Sequence, residues 1–272
     1  MGTANPGKVL LLGDPVAHSL SPAMQNAAIR AAGIDAVYEA RRVSPAQLGT
    51  VVAELHEEPY LGANVTIPYK EAVLGLVDER TEEVERIGAA NTLLRRGRKL
   101  TAANTDARGF GAALDERHVD VEGGRVLVLG AGGAARACVI ELQRRKAAGI
   151  ELANRSAARA ERLVADLGGR GGNVRAVEWP SRLRYALVVN TTPLGMHGED
   201  PLAGLALVPP LIVFDLVPTA TETPLLRRSR AEGCETVDGL LMLLHQAAAS
   251  FELWTGRGAP LEVMRAALPR AI

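Results

Sequence analysis

The sequence predicts an α/β protein of two domains, each built on a mainly parallel sheet. Three observations carry this expectation. Short apolar runs alternate with amphipathic stretches along the whole chain, the signature of strands joined by crossover helices. A glycine loop, Gly130-Ala131-Gly132-Gly133-Ala134-Ala135, follows an apolar run only near mid-chain, so a separate structure precedes it. At 272 residues the chain also exceeds the usual size of a single domain.

Residues 9–12 form a short apolar run and read as the first strand. Ser21-Pro22 then offers an N-cap with proline at the first helical position, and Gly33 closes that helix. Residues 37–43 read as a second strand, Ser44-Pro45 as the start of a helix through residue 55, and residues 62–67 as a third strand. A short helix near residues 81–86 follows, and residues 91–95 and 100–103 flank an Arg-Gly-Arg turn as a hairpin. Thr105-Asp106 caps the next helix.

The second half opens with an apolar strand at residues 125–129, then the glycine loop, a helix over 134–146 and a strand over 150–153. A helix at 157–167, strands at 174–177, 185–190 and 211–215, a helix at 224–232 and a strand at 235–237 complete it. Residues 239–254 and 261–268 are helical and apolar on one face, and are expected to return to the first domain. This predicts a substrate domain of residues 1–106 completed by 239–272, a dinucleotide-binding domain of 107–238, and a cleft between them.

Composition excludes several classes of function. Lys+Arg and Asp+Glu both number 31, so no net field draws the chain to nucleic acid or an anionic membrane. No run approaches the roughly 20 apolar residues of a membrane helix, and the N-terminus has no signal-like segment, which predicts a cytoplasmic protein. Cys138 and Cys234 lie in apolar patterns without metal-ligand spacing, so they read as packing residues and no metal is expected. A monomer and a homodimer remain equally open.

The spacing of the glycine loop has a physical purpose. Gly130 permits the tight turn, Gly132 lets a pyrophosphate approach the backbone, and Ala135 allows close packing of helix on strand, with the phosphates at a helix N-terminus. The preceding strand and following helix give the Rossmann-type context this fingerprint requires. An NAD site places Asp or Glu at the end of the second strand, to bind the ribose 2′-hydroxyl. Here the chain reads Ala153-Asn154-Arg155-Ser156-Ala157-Ala158-Arg159, and two guanidiniums four residues apart suit a 2′-phosphate, which predicts NADP.

In the N-terminal half, Ser19 and Ser21 alternate beside a helix start and could converge on one anion. A carboxylate fits better than a phosphate, since no basic residue accompanies them. Asn64-Val65-Thr66-Ile67-Pro68-Tyr69-Lys70 adds an amide, a hydroxyl and an ammonium at a strand end, and Asn91 and Asn104-Thr105-Asp106 add polar groups beside other ends. Taken singly, each of these is more often a turn or cap residue than a ligand-binding one. The basic residues other than Lys8, Lys70, Lys99 and Lys146 are all arginine, and of these four only Lys70 follows an apolar strand away from a terminus or a basic surface run.

From about residue 9 onward these motifs resemble the shikimate dehydrogenase family. The matching runs, in the family's order, are Gly13-x-Pro15-x-x-His18-Ser19-x-Ser21-Pro22, Asn64-Val65-Thr66-x-Pro68-x-Lys70, Gly88-Ala89-x-Asn91-Thr92, Asn104-Thr105-Asp106-x-x-Gly109-Phe110 and the glycine loop. They continue with Asn154-Arg155, Asn190-Thr191-Thr192-Pro193-x-Gly195-Met196 and Asp238-Gly239-x-x-Met242-Leu243-x-x-Gln246.

The resemblance implies reversible hydride transfer between NADP and the ring carbon that carries the 3-hydroxyl of shikimate. It implies Lys70 as general acid and base with Asp106 beside it, and Ser19 and Ser21 on the substrate carboxylate. Thr66, Asn91 and Gln246 would bind carboxylate or ring hydroxyls, and Gly130, Ala131, Gly132, Gly133, Ala134, Asn154, Arg155 and Arg159 the adenosine side of NADP. Glu82, Leu216, Gly239 and Met242 would lie near the nicotinamide half. Three positions depart from the family pattern: Pro218 stands in place of a substrate-contacting tyrosine, Leu241 in place of a glycine, and Gln25 in place of a frequent histidine. A quinate/shikimate or aminoshikimate dehydrogenase, and a non-catalytic dinucleotide-binding regulator on the same scaffold, are the alternative readings.

Overall fold

In the computed structural model, which describes residues 6–168 and 172–269, the chain divides into two units. One runs up to Thr105 and resumes at Leu244; the other extends from Asp106 to Leu243. The ends of the expected substrate domain, residues 1–5 and 270–272, lie outside the described residues.

The first unit contains β1 (Gly7–Gly13), α1 (Ser21–Ala31), β2 (Ala36–Arg42), α2 (Leu48–Glu54), β3 (Tyr60–Val65), a 3-10 turn (Ala72–Leu76), β4 (Glu79–Arg80), α3 (Glu82–Ile87), β5 (Thr92–Arg96) and β6 (Lys99–Ala103). Among the described residues its sheet has the order β2-β1-β3-β5-β6-β4. Crossovers through α1 and α2 make β2, β1 and β3 parallel, while the tight turn at Gly97, φ +62°, returns β6 antiparallel to β5. Leu10, Leu12, Val65, Leu93 and Ala102 bury one face of the sheet with Val51, Val52 and Leu55 of the α2 region.

The second unit contains α4 (Asp106–Glu116), β7 (Arg125–Leu129), α5 (Gly133–Arg144), β8 (Gly149–Ala153), α6 (Ala157–Gly168), β9 (Val174–Val177), β10 (Leu187–Asn190), β11 (Ile212–Asp215), α7 (Pro224–Ala231) and β12 (Glu235–Asp238). Its strands pair in the order β12-β11-β10-β7-β8-β9, all parallel. Counted from β7, this is the doubly wound dinucleotide-binding order, with its switch point between β7 and β10. Both faces of the sheet are covered, which explains the uninterrupted apolar runs read in the sequence. Val126, Val128, Val189 and Phe214 face one core, where Phe214 stacks on Phe110 with centroids 5.1 Å apart, and Leu127, Leu129, Val188 and Val213 face another.

Helix α8 (Gly239–Thr255) begins in the second unit and passes into the first at Leu244, followed by α9 (Leu261–Ala266). Within the first unit Trp254 Nε1 donates to the Leu93 carbonyl at 2.9 Å and Gln25 Nε2 to the Ala247 carbonyl at 2.9 Å. Among the described residues no helix is long and apolar enough to cross a membrane.

Two helix starts differ from the sequence reading. Ser21 is the first residue of α1 and not its cap; that position falls to Leu20, which makes no side-chain cap bond. The Ser19 hydroxyl accepts the Ser21 N–H at 3.3 Å and so meets one of the amides a cap would satisfy. Helix α2 starts at Leu48, because Gln47 Oε1 accepts both the N–H (3.0 Å) and the hydroxyl (2.8 Å) of Ser44 and holds the intervening residues in a turn.

Candidate active site

Strand register in the first unit gathers the polar motifs at one edge of the sheet. Leu12 pairs with Val65, Asn64 with Thr92, and Thr92 with Ala103. The residues after Gly13, after Val65, before Thr92 and after Ala103 therefore emerge together, at the carboxyl ends of parallel strands β1 and β3, where open α/β sheets bind ligands. Backbone bonds lock the loops to each other: Thr66 N–H to Leu12 C=O at 2.8 Å, Asp14 N–H to Ile67 C=O at 3.0 Å, and Ala90 N–H to Lys70 C=O at 2.8 Å. Ser19, Ser21, Thr66, Lys70 and Asn91 thus belong to one edge.

A polar network underlies it. The Asn91 carboxamide accepts from Thr105 N–H (2.8 Å) and Thr92 Oγ1 (3.0 Å) and donates to Thr105 Oγ1 (2.8 Å) and to Gln246 Oε1 (3.1 Å). Asn64 Nδ2 donates to Asn91 C=O at 2.9 Å and Ser250 Oγ at 3.1 Å, while Asn64 Oδ1 accepts the Tyr38 hydroxyl at 2.8 Å. Burial raises the pKa of Tyr38, against a smaller lowering by its hydrogen bond with Ser21, so the phenol stays protonated and donates. A network satisfied this fully holds its members in fixed rotamers. Gln246 and Asn91 are in contact; Ser21 joins them through Tyr38 and Asn64.

Lys70 is half-buried, Asp106 is buried at the first position of α4, and Glu82 is exposed at the first position of α3. Sequence reasoning missed Tyr38, Thr92 and Ser250 as members of the network. Ser250 had a legible signal, since it lies one helical turn after Gln246 on α8 and shares its face.

The second unit holds the nucleotide motifs. Gly130 has φ +110°, and a Cβ there would collide with Thr191 Oγ1, which donates to the Leu129 carbonyl at 2.7 Å. Gly132 is exposed at the N-cap of α5, and among the described residues no atom lies within 4 Å of where its Cβ would stand and no side chain caps the helix. The backbone there is open to a pyrophosphate, as the fingerprint demands. At the end of β8, Asn154 Nδ2 donates to Ser156 C=O at 2.9 Å, and Arg155 and Arg159 are exposed. Among the described residues neither arginine forms an ion pair, so two unneutralised guanidiniums stand where NAD proteins place a carboxylate. The donor set fits NADP.

Leu216, Gly239 and Met242 also meet in this unit. A Cβ on Gly239 would lie 2.5 Å from the Leu216 carbonyl carbon and 2.7 Å from its oxygen, so only glycine permits this backbone approach. Met242 is buried in the core against which Leu216 packs. Of the departures, Pro218 is exposed on the loop after β11, while Leu241 and Gln25 are both fully buried.

Residues 11–93 match a family model described as the shikimate dehydrogenase substrate binding domain. Residues 113–190 match the shikimate / quinate 5-dehydrogenase family, and 239–268 the shikimate 5'-dehydrogenase C-terminal domain. A relative from Symbiobacterium thermophilum named shikimate dehydrogenase (NADP(+)) is 45% identical over 280 residues, covering 98% of this chain and 95% of its own. A crystal structure of a shikimate dehydrogenase in complex with NADP+ superposes with a TM-score of 0.91 at 33% identity, covering 98% of this chain and 96% of the other. The Thermus thermophilus shikimate 5-dehydrogenase, in complex with NADP(H) and shikimate, gives a TM-score of 0.84 at 35% identity, covering 98% and 100% of the two chains.

Proposed function

The chain belongs to the shikimate dehydrogenase family, and we propose that it interconverts 3-dehydroshikimate and shikimate with NADP, in the cytoplasm, as a step of aromatic amino acid biosynthesis. The observation that carries this reading is the gathering of Ser19, Thr66, Lys70 and Asn91 at the carboxyl edge of β1 and β3, with Gln246 bonded to Asn91. Lys70 takes the proton from the 3-hydroxyl oxygen during oxidation and returns it during reduction, with Asp106 orienting the ammonium. Ser19 and Ser21 bind the carboxylate, and Thr66, Asn91 and Gln246 hold the carboxylate or ring hydroxyls. When bound, NADP exchanges a hydride with the ring carbon that carries this hydroxyl.

The loop Gly130, Ala131, Gly132, Gly133 and Ala134 receives the pyrophosphate, Asn154, Arg155 and Arg159 the phosphorylated ribose, and Glu82, Leu216, Gly239 and Met242 the nicotinamide half. Substrate and cofactor are small molecules, so neither nucleic acid nor a membrane is required, and either a monomer or a homodimer serves. Arg155→Ala is expected to raise KM for NADP about 10-fold or more, the worth of one charge-assisted hydrogen bond, while leaving use of NAD nearly unchanged. Steady-state kinetics with both cofactors checks this, and equal losses with the two would make Arg155 structural.

Pro218 favours a second reading, in which a close relative of shikimate such as quinate is the substrate, because this position offers no phenol. Ser21 weighs against it, since quinate users of the family often place threonine there. The ratio of kcat/KM for shikimate and quinate decides between the two.

A further inference from the structure

A buried carboxylate in the second unit has no part in the chemistry assigned above. Asp215 ends β11 and is wholly buried. Among the described residues three groups from different segments donate to it: Thr223 Oγ1 at 2.7 Å, Asn190 Nδ2 at 2.8 Å and Val217 N–H at 3.2 Å. Thr223 is the N-cap of α7, and its hydroxyl also accepts the Leu226 N–H at 3.3 Å. Asn190 ends β10 and organises the loop that follows: its Nδ2 reaches the Leu194 carbonyl at 2.9 Å, and its Oδ1 accepts Thr192 Oγ1 at 2.6 Å. The carboxylate thus ties together the exits of two neighbouring strands and the start of a helix.

Its bond to Val217 has a directional consequence. That N–H shares a planar peptide group with the Leu216 carbonyl, so fixing one fixes the other. The preceding peptide is held independently, by the Leu216 N–H on the Asn190 carbonyl at 2.9 Å. On its far side the Leu216 carbonyl is met by Gly239, whose missing Cβ leaves it room. Leu216 is therefore clamped at both peptides, and Asp215 supplies the clamp on the second.

We propose that Asp215 is a positioning residue for hydride transfer: by fixing the Leu216–Val217 peptide against Gly239, it sets the wall that receives the nicotinamide half of the cofactor. This rests on the NADP-dependent reading above. Burial pushes the Asp215 carboxyl up to about 6, with Asp238 adding to the rise, while Thr223, Asn190 and the Val217 amide lower it. Near neutral pH the group is ionised and can accept from all three donors. Asparagine retains most of this, because its oxygen accepts from Asn190 and Val217 while its amide turns to the Thr223 hydroxyl.

The test compares wild type, Asp215→Asn and Asp215→Ala in kcat, in KM for NADP, and in Kd for 2′,5′-ADP, which lacks the nicotinamide half. Should Asp215→Ala not fold, Asp215→Ser, with a single hydroxyl acceptor, takes its place under the same expectation. Misplacing a reacting group by about 1 Å costs on the order of 10²-fold, so Asp215→Ala is expected to lose about 10-fold or more in kcat. Its 2′,5′-ADP affinity should stay at the wild-type value, and Asp215→Asn should recover most of the kcat. Unchanged kcat in Asp215→Ala overturns the inference alone, as does a parallel loss of 2′,5′-ADP affinity, which would mark a general packing role. A wild-type protein that does not turn over shikimate with NADP overturns the functional reading, and the inference with it.

Discussion

Lys70→Ala is expected to lower kcat for shikimate oxidation by about 10²-fold or more with only a modest change in KM, the loss that general acid-base catalysis accounts for. The residue follows β3 in a loop fixed by the Ala90 N–H on its own carbonyl at 2.8 Å, so its ammonium departs from a rigid backbone. Lys70→Arg separates charge from proton transfer. A guanidinium keeps the positive charge but does not deprotonate in proteins, so this variant should be nearly as slow as the alanine one. Steady-state rates against shikimate for both variants check the assignment, and a near wild-type kcat in Lys70→Ala would remove the residue from the mechanism.

The largest expected loss of stability lies in a different part of the second unit. Glu151 on β8 is 5% exposed and accepts from Arg125, from Arg175 at 2.6 Å and from the Tyr185 hydroxyl at 2.5 Å. Arg125 also sits over the Tyr185 ring, 5.4 Å from its centroid. Burial alone would raise the Glu151 pKa, but hydrogen bonds from Tyr185, Arg175 and Arg125 outweigh it and bring it down to about 2. Breaking a buried ion pair costs about 3–5 kcal/mol, and the partial exposure of Arg125 and Arg175 puts Glu151→Ala nearer about 2–3 kcal/mol.

The sign of its pH dependence follows from the depressed value. The native state binds the Glu151 proton less readily than the unfolded chain, so the stabilisation is complete above the ordinary value of 4.5 and is lost as pH falls toward about 2. Denaturant melts of wild type and Glu151→Ala should therefore differ most at neutral pH and converge in acid. Arg125 opens β7 and the glycine loop follows the other end of that strand, so kcat per folded molecule should not change. A difference in stability that persists undiminished at low pH would show that packing, and not the carboxylate, is responsible.

Much of this fold can be read from the residue order. The apolar runs of β7, β10 and β11 and the position of Gly130 point to a parallel sheet with a nucleotide loop, because burial on both faces leaves no alternative pattern. Gly97 between two short runs likewise announces the β5–β6 hairpin. What escaped the reading depends on partners distant in sequence. The two exposed residues of β4 carry no strand pattern and are ordered by pairing with Thr101 and Ala102. Ser21 reads as a cap because its hydroxyl's partner, Tyr38, lies beyond its helix, on β2.

The site shows the same division. Lys70, Asn91 and the arginines after β8 occupy recognisable positions beside element ends, where polar residues stand out. Tyr38 and Thr92 lie on β2 and β5, where nothing in the local sequence marks them, and only the fold reveals that each completes another residue's hydrogen bonding. Asp215 is legible as a strand end, but its link to Asn190 and Thr223 depends on β10 and β11 lying side by side.

The most direct measurement is the initial rate of nicotinamide reduction, followed by absorbance, for the purified protein with shikimate or quinate as substrate and NADP+ or NAD+ as cofactor. The account predicts rapid turnover of shikimate with NADP+ and slow turnover of quinate with either cofactor. With NAD+ the kcat/KM should fall about 10-fold or more, as expected for a site whose arginines await a 2′-phosphate. Preference for quinate, or for NAD+, or no turnover of shikimate and 3-dehydroshikimate in either direction, would contradict it.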